Sequence, residues 1–137
     1  MAELSRQAEG QITILVVEDE AMLRDLIKES LSFQGFKVLM AANGDEALKL
    51  AAEYAAPIDV FLTDVALPGM SGPQVASGVQ ELRPGTPVLY MSGHLESSIE
   101  HHSVHEPGVE FLQKRFTPTQ LVAKLREILG AAPRGRD

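Results

Sequence analysis

Five short runs of hydrophobic residues recur along the chain, separated by longer segments in which polar and apolar residues mix. The runs are rich in leucine and β-branched residues and are mostly continuous rather than alternating. This composition is typical of strands that are covered on both faces of a parallel sheet. The five predicted strands are Ile12–Val17, Phe36–Ala41, Ile58–Thr63, Val88–Met91 and Val109–Leu112.

The segments between these runs carry apolar residues every three or four positions, which is the spacing of one face of a helix. The stripes are Leu23, Leu26, Ile27 and Leu31; Ala47, Leu50, Ala51 and Tyr54; Val75, Ala76, Val79 and Leu82; Leu95, Ile99 and Val104; and Leu121, Val122, Leu125, Ile128 and Leu129. Strands that alternate with helices predict an α/β fold of the (βα)5 type. Such a fold is a doubly wound, five-stranded parallel sheet with helices on both faces.

Residue types that favour helix ends stand where the predicted helices begin and end. Asn43 with Glu46, and Thr117 with Gln120, have the spacing of capping boxes and predict the starts of two helices. Gly35 follows the first stripe and suits the end of the first helix. These positions support the helical interpretation of the segments.

The length of 137 residues suits one domain, which we predict at residues 12–130. Residues 1–11 are predicted to be a flexible polar lead-in, and residues 131–137 a disordered tail or linker. The absence of cysteine excludes disulfides and thiolate chemistry. The formal net charge of −7 disfavours nucleic-acid binding. No apolar run is long enough to span a bilayer or to act as a signal peptide, so we expect a cytoplasmic protein without direct membrane contact.

Polar and charged residues directly follow four of the predicted strands. Glu18-Asp19-Glu20 follows the first strand, Asp64 the third, Ser92-Gly93 the fourth and Lys114 the fifth. Taken singly, an acid at such a position is often a helix cap, a Ser-Gly pair a turn, and a lysine a solvated charge. The carboxyl ends of parallel strands, however, lie at one edge of the sheet, where ligands bind in such folds. We therefore expect the four groups to converge on one crevice.

The expected crevice combines several carboxylates with a hydroxyl and an ammonium group. The carboxylates of Glu18, Asp19 and Asp64 would repel one another unless they are protonated or neutralised. Mg²⁺ would resolve the repulsion and keep coordination positions open for water or phosphate. Asp64 could then attack a phosphoryl donor and form an aspartyl phosphate, with Lys114 offsetting charge and Ser92 donating a hydrogen bond.

Four motifs in this order, one at each of these strand ends, give the chain a family resemblance. The chain resembles the receiver domain of bacterial two-component response regulators over about Ile12 to Leu129. The run PGMSG, the segment MSGH and the Glu106-Pro107-Gly108 turn most resemble receivers of hybrid sensor histidine kinases. The resemblance implies a flavodoxin-like fold with strand order 2-1-3-4-5. The motifs are ILVVEDE (Ile14–Glu20), LTDVALPGMSG (Leu62–Gly72), MSG (Met91–Gly93) and FLQK (Phe111–Lys114).

The resemblance implies a role for each residue of the phosphorylation site. Asp64 would be the phosphoacceptor and would also contact Mg²⁺. Asp19 would bind the ion directly, Glu18 through a water molecule, and Ala66 through its backbone carbonyl. Lys114 would pair with Asp64 and afterwards with the phosphoryl group.

The resemblance also implies a switch. Ser92 would move toward the phosphoryl group, and Phe111 would turn into the vacated space. This change would remodel the face formed by the fourth predicted helix, the fifth predicted strand and the fifth predicted helix. Two further positions, Ala66 and His94, would face the phosphoryl group and modulate its lifetime: Ala66 cannot position an attacking water, and His94 would either shield the site or be a solvated loop residue.

The implied partners follow from the family. They are a histidine kinase or a histidine phosphotransfer domain, together with an output partner that the sequence does not identify. The chain would be a monomer or a phosphorylation-dependent dimer. It would be either a single-domain regulator or, as the composition of the tail favours, a receiver separated from a larger sensor kinase.

Arg115 departs from the family pattern, since receivers usually carry proline directly after the active-site lysine, often with a cis peptide bond. A cis bond before a residue other than proline costs about 2.5–4 kcal/mol, so we expect a trans bond. Either the loop then holds Lys114 less rigidly, or Arg115 adds a cation beside the site or contacts a partner.

Other functions stay open beside the receiver hypothesis. An aspartyl-nucleophile phosphohydrolase dependent on Mg²⁺ would carry a second aspartate where Ala66 stands. A flavin or nucleotide carrier would need a phosphate loop after the first strand, where the acidic residues would repel phosphate. Because of Arg115, a degenerate receiver could act as a phosphorylation-independent interaction module. Three histidines lie on the fourth predicted helix: His101, His102 and His105. We interpret them as part of an exposed polar face rather than as a metal site.

Overall fold

The computed structural model describes residues 11–93 and 109–131 and contains five strands and four helices in this part of the chain. The predicted helix between Leu95 and His105, with its histidines, lies outside the described residues, as do His94 and most of the predicted lead-in and tail. The strands are β1 (Thr13–Val17), β2 (Lys37–Ala41), β3 (Val60–Asp64), β4 (Val88–Ser92) and β5 (Val109–Gln113). The helices are α1 (Ala21–Phe33), α2 (Gly44–Glu53), α3 (Gly72–Leu82) and α4 (Pro118–Ala131), the last being the fifth predicted helix.

The strands form one sheet in the order β2-β1-β3-β4-β5, and every neighbouring pair is parallel. This order confirms the predicted doubly wound, flavodoxin-like fold. In the register, Leu15 of β1 lies between Leu39 of β2 and Phe61 of β3. All five strands therefore end at the same edge of the sheet.

Helices cover both faces of the sheet, which explains why the strand sequences are continuously hydrophobic. Along β1, Ile14 and Val16 face one core cluster, which contains Ile27 of α1 and Leu125 of α4. The alternate residues of β1 face a second cluster, which contains Val75 and Val79 of α3. Burying one such aliphatic side chain contributes about 1.5–3 kcal/mol. The two apolar layers hold the strand ends in fixed positions.

The predicted capping residues hold the starts of α2 and α4. Asn43 Oδ1 accepts a hydrogen bond from the Glu46 N–H at 2.9 Å, and the Glu46 carboxylate accepts from the Ala42 N–H at 2.7 Å. Thr117 and Gln120 bond reciprocally, each side chain accepting from the backbone N–H of the other, at 3.1 and 2.8 Å. Both predicted helix starts are therefore confirmed.

Gly35 ends α1 as predicted, and its φ of 92° lies in the left-handed region that favours glycine. The N–H of Phe36 donates to Leu31 O at 3.1 Å, and the N–H of Gly35 donates to Ser32 O at 3.0 Å. This is the hydrogen-bond pattern of a Schellman motif.

The strand boundaries differ from the predicted ones at both ends. β1, β2 and β3 begin at Thr13, Lys37 and Val60, one or two residues after the predicted starts at Ile12, Phe36 and Ile58, because strand pairing begins only there. β3, β4 and β5 extend to Asp64, Ser92 and Gln113, because parallel pairing continues past the last apolar residue. α4 extends through Gly130 to Ala131, past the end of its apolar stripe. Among the described residues, no helix has both the length and the apolar character needed to cross a bilayer.

Candidate phosphorylation site

The site lies at the carboxyl edge of the sheet, where β1, β3 and β5 bring side chains from three strand ends together. β1 and β3 are neighbours, so Glu18, directly after β1, and Asp64, the last residue of β3, lie at adjacent strand ends. β5 lies two positions away from β3, and the long side chain of Lys114 bridges that distance. The backbone N–H of Lys114 donates to Ser92 O at 2.8 Å, which continues the β4–β5 pairing and anchors the lysine.

Three carboxylates meet at this edge. Glu18, Asp19 and Asp64 each present an oxygen atom, and these atoms all lie within 4.8 Å of one another. Glu18 is fully buried and Asp64 is 7% exposed, whereas Asp19 is exposed to solvent. The cluster is therefore closed toward the protein and open on the side of Asp19.

Lys114 supplies positive charge to two of the three carboxylates. Its Nζ lies 2.6 Å from Asp64 Oδ2, to which it donates a hydrogen bond, and 3.3 Å from Glu18 Oε1. With one ammonium group among three ionised carboxylates, a formal charge of −2 would remain in the cluster. Such a charge attracts cations.

The ionisation of the buried groups reflects this crowding. Burial, together with the charge of Asp64, raises the pKa of Glu18, although the Glu20 N–H and Lys114 act in the opposite direction. Burial by itself would lower the pKa of Lys114, but its hydrogen bond and charge interaction with Asp64, supported by Glu18, raise that pKa overall. Lys114 therefore stays cationic at neutral pH.

One oxygen of Glu18 indicates what kind of ligand fits the cluster. Glu18 Oε2 accepts a hydrogen bond from the Glu20 N–H at 3.0 Å. Glu18 Oε1 is buried, and no group of the described residues donates a hydrogen bond to it; its contact with Lys114 is a charge contact outside hydrogen-bond geometry. A buried acceptor without a donor is unfavourable, and a hard cation or a water bound to it would satisfy the oxygen. The residues present therefore fit Mg²⁺.

The loop after Asp64 is held at both ends by its backbone. The Ala66 N–H points at Asp64 Oδ1 at the long distance of 3.4 Å, and the Gly72 N–H donates to Val65 O at 2.7 Å. Ser71 and Gln74 form a capping box that starts α3, a feature that the sequence prediction missed. The geometry places the start of α3 directly against the Asp64 backbone.

Gly72→Ala is expected to destabilise the protein by at least about 2 kcal/mol, because its Cβ would lie 2.1 Å from Asp64 O, a backbone atom. Chemical denaturation measures the change. The matched control is Gly78→Ala in the same helix, where the Cβ would meet only the flexible end of Leu48 and helix propensity improves. Equal stability of Gly72→Ala and the native protein would contradict the close approach.

The remaining predicted site residues are placed as follows. Ser92 is buried at the end of β4, one residue beyond the residue that pairs with Asp64. Phe111 is half-buried and stacks on Tyr90, with ring centroids 5.5 Å apart and planes at 26°. Ala66 is exposed, and its backbone N–H points at Asp64 Oδ1.

Arg115 differs from its neighbours in backbone conformation. Its peptide bond to Lys114 is trans, as expected, and its φ of 79° is the only positive φ of a non-glycine residue in the described ranges. The left-handed region costs a non-glycine residue roughly 1–2 kcal/mol. The arginine side chain is exposed, and the contact between Lys114 and Asp64 forms in spite of the departure from proline.

Three residues near the site were missed by sequence reasoning. Gly72 closes the Asp64 loop, Tyr90 stacks on Phe111, and Arg24 of α1 donates through a guanidinium nitrogen to Glu18 O at 2.9 Å. The available signals were a glycine at the start of a helix, an aromatic residue two positions before Ser92, and a cation in the first turn of a helix. None of these signals identifies its partner without the fold.

A parallel sheet with this acidic cluster and lysine at its carboxyl edge is the architecture of a receiver domain, and the comparisons agree. The chain belongs to the response regulator receiver domain family, whose model matches residues 14–126. Sensor kinase CckA of Brucella abortus is 30% identical over 127 residues, which are 93% of this chain. The probable transcriptional regulatory protein TcrX of Mycobacterium tuberculosis is 33% identical over 125 residues, or 90% of this chain.

A solved structure shows the same similarity in three dimensions. The receiver domain of the hybrid histidine kinase CckA superposes with a TM-score of 0.74 at 34% identity, covering 85% of this chain and 98% of that chain. The present chain spans 13% of the length of the Brucella CckA protein and 53% of TcrX. The similarity therefore concerns the receiver part of these longer proteins.

Proposed function

We propose that the chain is the phosphoacceptor module of a two-component phosphorelay, phosphorylated on Asp64 in the presence of Mg²⁺. The observation that carries the proposal is the 2.6 Å contact between Lys114 and Asp64 inside a cluster of three carboxylates. A structural ion pair would not need the two further acids, which add repulsion rather than stability. Phosphoryl transfer to an aspartate needs both the lysine beside the acceptor and the further acids that hold a metal ion.

The proposed step is an in-line displacement at phosphorus. Asp64 Oδ2 accepts a hydrogen bond from Lys114, whereas among the described residues Oδ1 receives only the long 3.4 Å approach of the Ala66 N–H, so Oδ1 has the more available lone pair. A bond forms between Oδ1 and phosphorus while the bond from phosphorus to the donor breaks, and the leaving group takes that electron pair. The ammonium of Lys114 then lies close enough to offset charge on the phosphoryl oxygens.

The acidic residues would hold the ion. We assign Asp19 and Asp64 as direct ligands, Glu18 as a ligand through water, and the Ala66 carbonyl as a further ligand. When bound, Mg²⁺ supplies positive charge that lets an anionic donor approach an anionic site. Glu18 supports this assignment because its buried Oε1 has no hydrogen-bond donor among the described residues.

Phosphorylation would act on the surface around β5. The phosphoryl group carries about −1.5 to −2 charges and replaces the single negative charge of the Asp64 carboxylate beside Ser92 and Lys114. We propose that Ser92 moves toward it and that Phe111 leaves its present stacked position against Tyr90. His94 and Ala66 would modulate the lifetime of the phosphoryl group. The methyl side chain of Ala66 has no polar group that could position an attacking water. The result is a population shift between two packings, and no stand-alone turnover is expected.

The proposed donor is a histidine kinase or a histidine phosphotransfer domain. Met22 and Leu26 of α1 are 79% and 43% exposed, and they line one open cavity with Lys114, Arg115 and Phe116. Exposed apolar side chains beside a reactive group suit a protein partner. Similarity to CckA supports a hybrid-kinase origin, and we place the module in the cytoplasm.

Phosphorylation by a small acyl-phosphate donor tests the proposal. With Mg²⁺, we expect intact-mass measurement to show the addition of one phosphoryl group per chain; with a chelator, we expect no addition. The purified protein should not hydrolyse aryl phosphates continuously, as a phosphohydrolase would. Absence of labelling, or labelling that ignores the metal, would refute the proposed function.

A further inference from the structure

Arg24 contacts the backbone on both sides of Asp19. Its guanidinium donates to Glu18 O at 2.9 Å, and its backbone N–H donates to Glu20 O at 2.9 Å. The backbone bond is the first i→i−4 bond of α1 and does not depend on the side chain, so the guanidinium bond to Glu18 O, next to the exposed acid of the cluster, is the contact specific to arginine.

Hydrogen bonds also hold the backbone of the other residues between β1 and α1, whereas none holds the Asp19 side chain among the described residues. The Glu18 N–H donates to Ala41 O at 3.1 Å, and the Glu20 N–H donates to Glu18 Oε2 at 3.0 Å. No residue in the described ranges donates a hydrogen bond to the Asp19 carboxylate or forms an ion pair with it. The direction in which Asp19 points therefore depends on the backbone that Arg24 holds.

Helix stability does not explain a cation at this position. Arg24 is the fourth residue of α1, whose N-cap Glu20 makes no side-chain capping bond and whose first turn contains no acidic residue. A positive charge in the first turn is unfavourable in the field of the helix dipole by about 0.3–1 kcal/mol. The compensating contact is the one with Glu18 O.

We propose that Arg24 is a positioning residue that orients Asp19 for Mg²⁺. This inference rests on the proposed function, because it assigns a task within the same metal site. The change in Mg²⁺ affinity that it predicts for loss of Arg24 is opposite in sign to the change that electrostatics alone predicts. If Arg24 acted only through its charge, its removal would make the cluster more negative and tighten cation binding. If it orients Asp19, its removal weakens binding.

Calorimetric titration of the whole chain with MgCl₂ separates the two cases. For Arg24→Met, which keeps bulk but loses the donors and the charge, we expect the Kd for Mg²⁺ to rise about tenfold, the lower end for losing a supporting contact. The matched control is Lys28→Met, which removes the same charge from an exposed position of the same helix. Its Kd is expected to stay unchanged or fall slightly. Arg24→Lys, which keeps one donor, should recover part of the affinity.

A double-mutant cycle tests whether the effect passes through Asp19. In an Asp19→Asn background, Arg24→Met is expected to change the Kd by no more than about twofold, since the ligand that it orients is lost. A merely structural role would weaken binding equally in both backgrounds. An equal loss in both backgrounds would therefore overturn the positioning role.

The outcomes also separate this inference from the proposed function. Native protein that binds no Mg²⁺ would count against the function itself. Native protein that binds Mg²⁺, together with an Arg24→Met variant that binds equally or more tightly, would overturn only the role of Arg24. If Arg24→Met does not fold, as judged by thermal unfolding, Arg24→Leu, which also lacks a donor, replaces it with the same expected loss of affinity and the same overturning result.

Discussion

Asp64→Asn is expected to accept no phosphoryl group from a small acyl phosphate. The amide has nearly the shape of the carboxylate, but its nitrogen and oxygen are poor nucleophiles and it cannot share a negative charge with Lys114. Asp64 is 7% exposed and bound by Lys114 at 2.6 Å, so the substitution changes the chemistry with little change in volume. Intact-mass measurement with donor and Mg²⁺ gives the labelled fraction.

The matched control for this variant is Asp25→Asn, which makes the same substitution at an exposed residue of α1. This control should be labelled to the native extent. A labelled Asp64→Asn variant would move the acceptor to Glu18 or Asp19, because their oxygen atoms lie within 4.8 Å of the same centre. Peptide mapping would then identify which of them carries the group.

Asp19→Asn is expected to stabilise the protein without Mg²⁺ and to remove most of its response to Mg²⁺. Neutralising one of three neighbouring carboxylates relieves repulsion of about 1 kcal/mol. This value is at the weak end of the range for charge interactions in proteins, because Asp19 is exposed to solvent. For a chain of this length, that gain corresponds to a rise in Tm of about 3–5 °C. The same change removes a charged ligand, so we expect the Kd for Mg²⁺ to rise more than tenfold.

Thermal unfolding with and without MgCl₂ measures both effects in one experiment. The Tm of the native protein should rise with Mg²⁺, since a ligand that binds only the folded state stabilises it. The Tm of Asp19→Asn should start higher and stay nearly constant, whereas Asp25→Asn should follow the native protein. A variant that is less stable than the native protein and equally sensitive to Mg²⁺ would remove Asp19 from the site.

The effects expected for Asp64→Asn and Asp19→Asn have a common origin in the charge of the site. The cluster holds more negative charge than Lys114 compensates, and it keeps buried a Glu18 oxygen to which no described residue donates a hydrogen bond. Such an arrangement costs stability in the free protein, and binding a cation offsets the cost. The site is therefore better explained by its proposed chemistry than by any contribution to folding.

The architecture was readable from local patterns because each layer of the fold imposes its own periodicity. Continuous apolar runs such as Ile14–Val17 occur where a strand is covered on both faces, and β1 is buried throughout. Capping residues such as Asn43 act within one turn of the helix that they begin. The strand order was not readable from these patterns and came from the family resemblance.

The candidate site was predicted in part for a related reason. Parallel strands must end at one edge, so Glu18, Asp64 and Lys114 had to approach one another once the strands were identified. The distances were not predictable, because they depend on strand order and on the reach of one lysine side chain across β4. The left-handed conformation of Arg115 likewise depends on how the loop returns from β5 to α4.

Hydrophobic periodicity and the chemistry of the strand ends, both written in the primary sequence, specify an α/β protein with an acidic, lysine-containing edge. Contacts that cross a loop or join two strands required the folded chain: Arg24 on Glu18, Gly72 against Asp64, and Tyr90 on Phe111. The reason is physical. Periodicity and capping are short-range effects that a few neighbouring residues determine. The position of a side chain relative to the backbone of another element depends instead on how the strands, helices and loops pack together.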